Sequence, residues 1–268
     1  MSNHKILTID NLSLQEFDSE AELIPLLTPE DEEEMNNEEL PESLPILPLR
    51  NMVLFPGVVI PITAGRDKSI KLINDANASG KNIGVVAQKN EEDEDPTKDD
   101  IHTVGTVARI LRVLKMPDGN ITIILQGKKR FEIAEVVSEE PYITATVKEV
   151  PEKRPKKNDT EFNAIIDSLK ELAVKIIQES PNLPSEATFA IKNIESKSFL
   201  VNFVSSNMNL SVKEKQDLLQ INNLKDRALE TLRFMNVELQ KLELKNDIQS
   251  KVRFDLDQQQ REYFLHQQ

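Results

Sequence analysis

Residues 44–73 of the chain read LPILPLRNMVLFPGVVIPITAGRDKSIKLI. Each proline in this stretch removes a backbone hydrogen-bond donor, which makes a central position in a sheet difficult. Edge strands with bends are therefore expected, and Pro56-Gly57 is typical of a turn. The segment RDKSIKLINDANA at 66–78 then places Ile70 and Ile73 on one helical stripe. The stretch predicts bent strands that are followed by a helix.

The glycines divide the rest of the chain into two halves. All seven lie between Gly57 and Gly127, and the last 141 residues contain none. Strands and turns are therefore expected in the first half and helices in the second. The turn sequence MPDGN at 116–120 lies between two apolar runs and predicts a hairpin. The segment YITATVKEV at 142–150 alternates apolar and polar residues, which is typical of a half-buried strand.

The second half carries helix signals. The segment VPEKRPKKND at 150–159 is interpreted as a linker, with a phosphate-binding patch as the less favoured alternative. Asp159 can cap a helix that ends at Ser180, before a proline. Ser185 is expected to start a shorter helix, and the apolar segment SFLVNFV at 198–204 is expected to form a buried helix. The S-x-x-E capping box at 211–214 predicts the start of another short helix.

A long helix is predicted from about residue 223 to the end, because this segment contains neither proline nor glycine. Leucines and methionines keep a heptad-like spacing in its first half, and apolar residues continue in a shifted frame at 248–256. Such a helix spans about 65 Å at about 1.5 Å per residue. One small core cannot cover that length, so its far end is expected to meet a partner, another subunit or a further domain.

Charge is concentrated at the start of the chain. Residues 1–45 hold 13 acidic residues and one lysine, a net charge of −12. The whole protein has a net charge of −13. The run TPEDEEEMNNEELPE predicts a disordered, solvated tail, since it offers little apolar surface to bury. The remaining body is nearly neutral, which argues against a strongly basic nucleic-acid interface.

Several classes of chemistry lack their parts. There are no cysteines, and the three histidines, His4, His102 and His266, are far apart in the sequence. Neither G-x-x-x-x-G-K-[ST] nor G-x-S-x-G occurs. We therefore expect no catalytic residue, no cofactor and no metal in this chain. The start MSNHKILTID does not resemble a secretory signal and no long apolar run occurs, which predicts a cytoplasmic protein without a membrane span.

Three stretches resemble the N-terminal domain of the Lon protease family. The first is LPLRNMVLFPG with the strand and helix after it, and the second is GTVARILRVLKMPDGNITIILQGKKRFEI at 105–133. The third is VRFDLDQQQREYFLHQQ at 252–268, similar to the helix that leads into the family's ATPase module. The resemblance covers residues 44–268, and it implies a chain that stops inside that connecting helix.

The resemblance implies an α+β fold. It consists of a PUA-like mixed β lobe with one helix, then a helical lobe and a long helix. The expected divisions are an acidic tail at 1–43, the β lobe at 44–152, the helical lobe at 153–222 and the long helix at 223–268. In the family this region helps to select unfolded, damaged or tagged protein substrates and supports assembly of a homohexamer. The parent protein is expected to be an ATP-dependent serine endopeptidase of protein quality control, with ATP and Mg as its cofactors.

Three functional hypotheses follow. The leading one is binding of exposed apolar segments of unfolded polypeptides. The residues predicted to carry it are Leu49, Met52, Phe55, Val58, Leu232, Met235 and Leu239. The second is subunit assembly through the long helix. The third is weak nucleic-acid binding, supported only by Lys128, Lys129, Arg130 and the basic cluster at 153–157.

Overall fold

The computed structural model describes residues 6–7, 24–25, 27–180 and 186–266. In chain order the elements are β1 (Ile6–Leu7), β2 (Ile24–Pro25), α1 (Pro29–Asn37), β3 (Ser43–Leu49), β4 (Val59–Ala64), α2 (Asp67–Ser79), β5 (Ile83–Ala87), β6 (Val104–Lys115), β7 (Ile121–Ser138), β8 (Thr144–Glu149), α3 (Thr160–Glu179), α4 (Glu186–Asn193), α5 (Lys197–Asn207), α6 (Val212–Gln220) and α7 (Leu224–His266). Strands dominate the first half and helices the second, so the predicted α+β class is confirmed.

The main sheet closes on itself through its longest strand. Its order is β4-β7-β6-β5-β3-β8, and β7 also pairs with β8. Strand β7 has 18 residues, enough to pair with β4 and β6 at one end and with β8 at the other. The ring encloses a buried cluster around Phe131 and Ile46. Only glycine fits at position 105, because a Cβ there would lie 2.3 Å from the Val85 carbonyl oxygen.

The proline-rich stretch differs from its prediction in one respect. Strand β4, with Pro61, is the outermost strand of the described sheet, as expected for an edge. Strand β3, with Pro45 and Pro48, instead lies between β5 and β8. Its first three residues pair with β8 and its last four with β5. Each half of β3 therefore has one side without a partner strand. A proline nitrogen on that side does not remove a hydrogen bond from the sheet.

Local sequence signals predicted the hairpin and the helix ends correctly. Strands β6 and β7 are joined at Gly119, which has a positive φ of 88°. Asp159 caps α3 by accepting a hydrogen bond from the Phe162 amide at 2.9 Å, and Ser211 opens α6 with a capping box. The shorter helix expected after Ser185 is α4, and Ser185 itself lies outside the described residues.

The acidic run was predicted to be disordered, and for the described residues 27–42 this prediction is wrong. Helix α1 starts with a capping box between Thr28 and Asp31, with a proline in its first turn. Acidic residues in that turn also complement the positive end of the helix dipole. Leu27 and Met35 are buried against the body of the protein. Most of the first 26 residues lie outside the described part of the chain.

The two halves of the chain share one hydrophobic core. A single buried cluster runs from Phe55 in the β3–β4 connection to Phe199 of α5 and Met235 of α7. The predicted long helix is confirmed: α7 has 43 residues and packs along α3. Asn246 donates hydrogen bonds to the backbone oxygen and carboxylate of Glu179 at 3.1 and 2.9 Å. Apolar side chains further along α7 are exposed, Ile248 and Val252 among them.

Candidate functional site

The seven residues predicted to contact substrates lie mostly in the core. Leu49, Phe55, Val58, Met235 and Leu239 are buried. Solvent reaches only part of the Met52 and Leu232 side chains, and both pack against the same core cluster. A buried side chain cannot touch a ligand unless the fold rearranges. Leu49 and Met52 both line a groove, and of these two Met52 has the partly exposed side chain.

That groove runs between the end of β3 and the outer strand β4, and it reaches the start of α2. Its volume is about 630 Å³, and it is lined by residues 47–52 and 61–66 together with Ser69 and Glu94. Met52 and Ile62 contribute partly exposed apolar side chains. We call this surface the β4 groove. Polar and apolar side chains both line it.

Strand β4 gives the β4 groove a backbone edge. In the described sheet β4 is hydrogen-bonded to β7 alone, with six residues in register from Val59↔Gln126 to Ala64↔Ile121. An exposed strand edge can accept an added strand, with main-chain hydrogen bonds supplying affinity and side-chain pockets supplying selectivity. Pro61 has no N–H, so it limits pairing at one position and protects the free edge against uncontrolled association.

Arg66 forms the charged rim of the β4 groove and is held in place by Gln88. Its guanidinium donates to Gln88 Oε1 at 2.6 Å and to the Asp93 carbonyl at 3.4 Å. Burial, and then the nearby charge of Arg50, lower the pKa of Arg66, while Asp95 and Glu94 oppose the shift. Gln88 is itself buried and donates to two carbonyls of the 89–100 loop. The loop is mostly exposed, yet it is anchored to the groove rim.

Sequence reasoning missed Ile62 and Arg66 as groove residues, and it missed Gln88 as the residue that holds Arg66. The place of Gln88 depends on β5 and β6 being neighbours, and no local pattern indicates that pairing.

The basic triplet at 128–130, predicted as a nucleic-acid contact, is engaged inside the protein. Lys128 is buried and forms an ion pair with Glu38 just after α1. Lys129 donates to the Asn36 carbonyl at 3.0 Å and to the Glu149 carboxylate at 3.2 Å. These ammonium groups are not presented to an external phosphate, so the nucleic-acid hypothesis loses its main support.

Arg130 joins the β lobe to the helices through backbone oxygens. Its guanidinium donates to the carbonyls of Leu219 at 2.8 Å, Ile221 at 3.1 Å and Pro151 at 3.3 Å. Burial, and then the nearby charge of Arg227, lower the pKa of Arg130 to about 10, and the charge of Glu152 opposes the shift. Arg130 therefore remains a cation at neutral pH and acts as a structural tie.

Buried Arg227 completes this junction. It donates to Glu152 Oε2 at 3.0 Å and to Asn202 Oδ1 at 2.9 Å. Arg154, from the predicted basic cluster at 153–157, is likewise paired, with Glu32 and Glu152.

Within the described ranges, no group of three or more histidine, cysteine or acidic side chains is arranged to hold a metal ion. Among the helices described, none is long and apolar enough to cross a membrane.

Comparison with known proteins identifies residues 43–237 with a family model, the substrate-binding domain of the ATP-dependent protease La (LON). Lon protease of Flavobacterium johnsoniae is 87% identical over 268 residues, which is 100% of this chain and 33% of that protein. Lon protease of Cytophaga hutchinsonii is 51% identical over 92% of this chain and 30% of that protein. The chain thus spans about a third of the length of these curated relatives.

Two solved structures share the fold. The N-terminal domain of Mycobacterium avium complex Lon protease superposes with a TM-score of 0.60 at 21% identity, covering 72% of this chain and 98% of that one. The Lon N-terminal domain protein from Xanthomonas campestris gives a TM-score of 0.51 at 19% identity, covering 71% of this chain and 97% of that one.

Proposed function

The chain belongs to the substrate-binding domain family of the ATP-dependent protease La (LON), and from this premise we propose that it binds exposed apolar segments of unfolded polypeptides in the β4 groove. The observation that carries the proposal is the free edge of β4 beside a groove of about 630 Å³. An unfolded segment can extend along that edge, whereas the same residues within a folded protein are already paired. The groove thus has a physical basis for preferring unfolded chains.

Side chains of the β4 groove set which segments fit. Met52 is unbranched and polarisable, so it adapts to differing apolar partners. Arg66 places a positive charge beside Glu94 on the rim, which favours segments of low net charge. Selection therefore rests on extended backbone and apolar content, in keeping with a domain that takes many substrates.

The test is fluorescence anisotropy of a labelled, permanently unfolded polypeptide, with its folded counterpart as the control. We expect tighter binding of the unfolded form, and a weakening of about tenfold for Met52→Asp. The matched control is Val137→Asp, which places the same charge at an exposed valine on the far end of β7. Thermal unfolding of both variants checks that the fold survives. Equal affinity for folded and unfolded polypeptide would contradict the proposal, as would equal losses in the two variants.

For the parent protein we propose the activity of an ATP-dependent serine endopeptidase that degrades misfolded, damaged and short-lived regulatory proteins in the cytoplasm. ATP and Mg would act in the part of the relatives that this chain does not span. In this arrangement the chain contributes recognition, and catalysis belongs to the other modules. Proteolysis of an unfolded substrate by the full-length protein, with and without ATP, tests the assignment.

Subunit assembly is the second candidate function, and the exposed stripe on α7 favours it. Leu244, Ile248, Val252 and Leu256 recur every four residues, and all are more than half exposed. An apolar stripe of this kind along a helix is typical of a surface that another helix covers. Sedimentation velocity across a concentration range should detect self-association that Ile248→Glu abolishes. A monomer at all concentrations would argue against assembly through this chain.

A further inference from the structure

Helix α1 spans the junction between the β lobe and the helices. Leu27, two residues before α1, packs against Gly57, where an added Cβ would be 3.0 Å from the leucine methyl group and 2.8 Å from the Phe199 ring. Met35, one turn from the end of α1, is buried in the same crevice. These two side chains are the apolar anchors of a helix whose other described residues are largely exposed.

The crevice beneath α1 is basic. Glu38 pairs with buried Lys128, and Glu32 bonds to Arg154 and to the Ser196 hydroxyl. Taking a lysine ammonium out of water is costly unless a carboxylate compensates it. Lys128 therefore makes this crevice a place where an acidic side chain is required.

The crevice also supplies what α1 lacks at its C-terminal end. The last turn of α1 has no basic residue to complement the negative end of its dipole. Lys129 fills that role from β7, donating to the backbone carbonyls of Asn36 and Glu38. The crevice thus recognises a helix end as well as carboxylates.

Two observations indicate that α1 is an exchangeable occupant. The family match starts at residue 43, so α1 lies outside it, whereas Lys128, Lys129, Arg154 and Ser196 lie inside it. A cavity of about 60 Å³ remains between α1 and the crevice, so the fit is incomplete. The crevice is thus built from residues inside the family match, and α1, from residues outside it, occupies the crevice.

We infer that this crevice is a second docking site, separate from the β4 groove, which binds acidic amphipathic helices of partner polypeptides and which α1 occupies in cis. A partner helix would present an apolar side chain in the place of Met35, with carboxylates three residues to either side. Because α1 is tethered, it competes at a high effective concentration. Partners would therefore bind strongly only where α1 is displaced.

The experiment uses a labelled peptide of residues 27–42 added in trans to the full chain. The weakened variant carries Glu32→Gln, Met35→Ser and Glu38→Gln, which should release the resident helix. We expect the peptide to bind this variant at least about tenfold more tightly than the unaltered chain, because there α1 blocks the site. A peptide with the same three substitutions is the control and should not bind.

Substitutions in the crevice localise the peptide. Adding Lys128→Met to the weakened variant should remove binding, whereas Lys81→Met, at an exposed lysine beyond α2, should leave it unchanged. If the Lys128 variant does not fold, Arg154→Gln tests the second charge contact of the crevice, with Glu32, at a side chain that is 47% exposed. The inference would be overturned if the peptide bound neither the weakened variant nor the unaltered chain, or bound both equally. Peptide binding that survives these crevice substitutions would also overturn it.

Discussion

Replacing Arg130 with methionine should loosen the joint between the β lobe and the helices. The guanidinium is 3% exposed and donates to three backbone carbonyls and to the Asn222 side chain. Methionine fills much of the same volume, so the loss is mainly polar. It consists of charged hydrogen bonds broken and carbonyl groups left buried without their donor. We expect a decrease of about 3–5 kcal/mol in the free energy of unfolding.

Urea denaturation followed by circular dichroism measures this loss. With an m-value of about 2–3 kcal/mol/M, the unfolding midpoint should fall by roughly 1–2 M. Arg109→Met, at an exposed arginine of β6, is the matched control and should change stability by no more than about 0.5 kcal/mol. Unfolding of the two variants at the same urea concentration would show that Arg130 does not tie the lobes together.

Three further predictions concern the core, the acid limit and a helix cap. Met235→Ala should cost about 2–5 kcal/mol in thermal unfolding, since the side chain is 1% exposed, and Leu244→Ala, at 61% exposure, should cost less than about 0.5 kcal/mol. The Phe162 amide, and then Lys225, lower the pKa of Asp159 below its ordinary value of 3.8, so the ionised carboxyl stabilises the fold above that value. This contribution is lost as the pH falls through the folded pKa, and Asp159→Asn should flatten that part of an acid titration followed by fluorescence or circular dichroism. Ser211→Ala should lower the melting temperature by removing about 1 kcal/mol of capping energy, and an unchanged melting temperature would contradict this.

The sequence predicted those features that depend on neighbours along the chain. The turn at Gly119, the caps at Asp159 and Ser211 and the long helix each follow from residues within one or two turns of each other. The division of the chain into regions at 44–152, 153–222 and 223–268 remains a prediction. One buried cluster joins the strands to the helices and marks no boundary between them.

Features that depend on distant pairing could not be predicted. The internal position of β3 requires β8, whose partner residues are about a hundred positions away. The packing of α1 against the body depends on Lys128, Lys129 and Arg154, which lie opposite it, and nothing within the acidic run indicates those partners. An aliphatic stripe is also ambiguous, because core and contact surface share one composition. Leu49 and Met235 were chosen from such stripes, and both proved to be buried.

Helix α7 also has a mechanical consequence. It leaves the core near Asn246, where the contact with Glu179 forms a pivot, and about 20 residues extend beyond that point. At about 1.5 Å per residue this arm is roughly 30 Å long, so a tilt of about ten degrees at the pivot displaces its tip by roughly 5 Å. A small change in the way α3 holds α7 is therefore amplified at the tip.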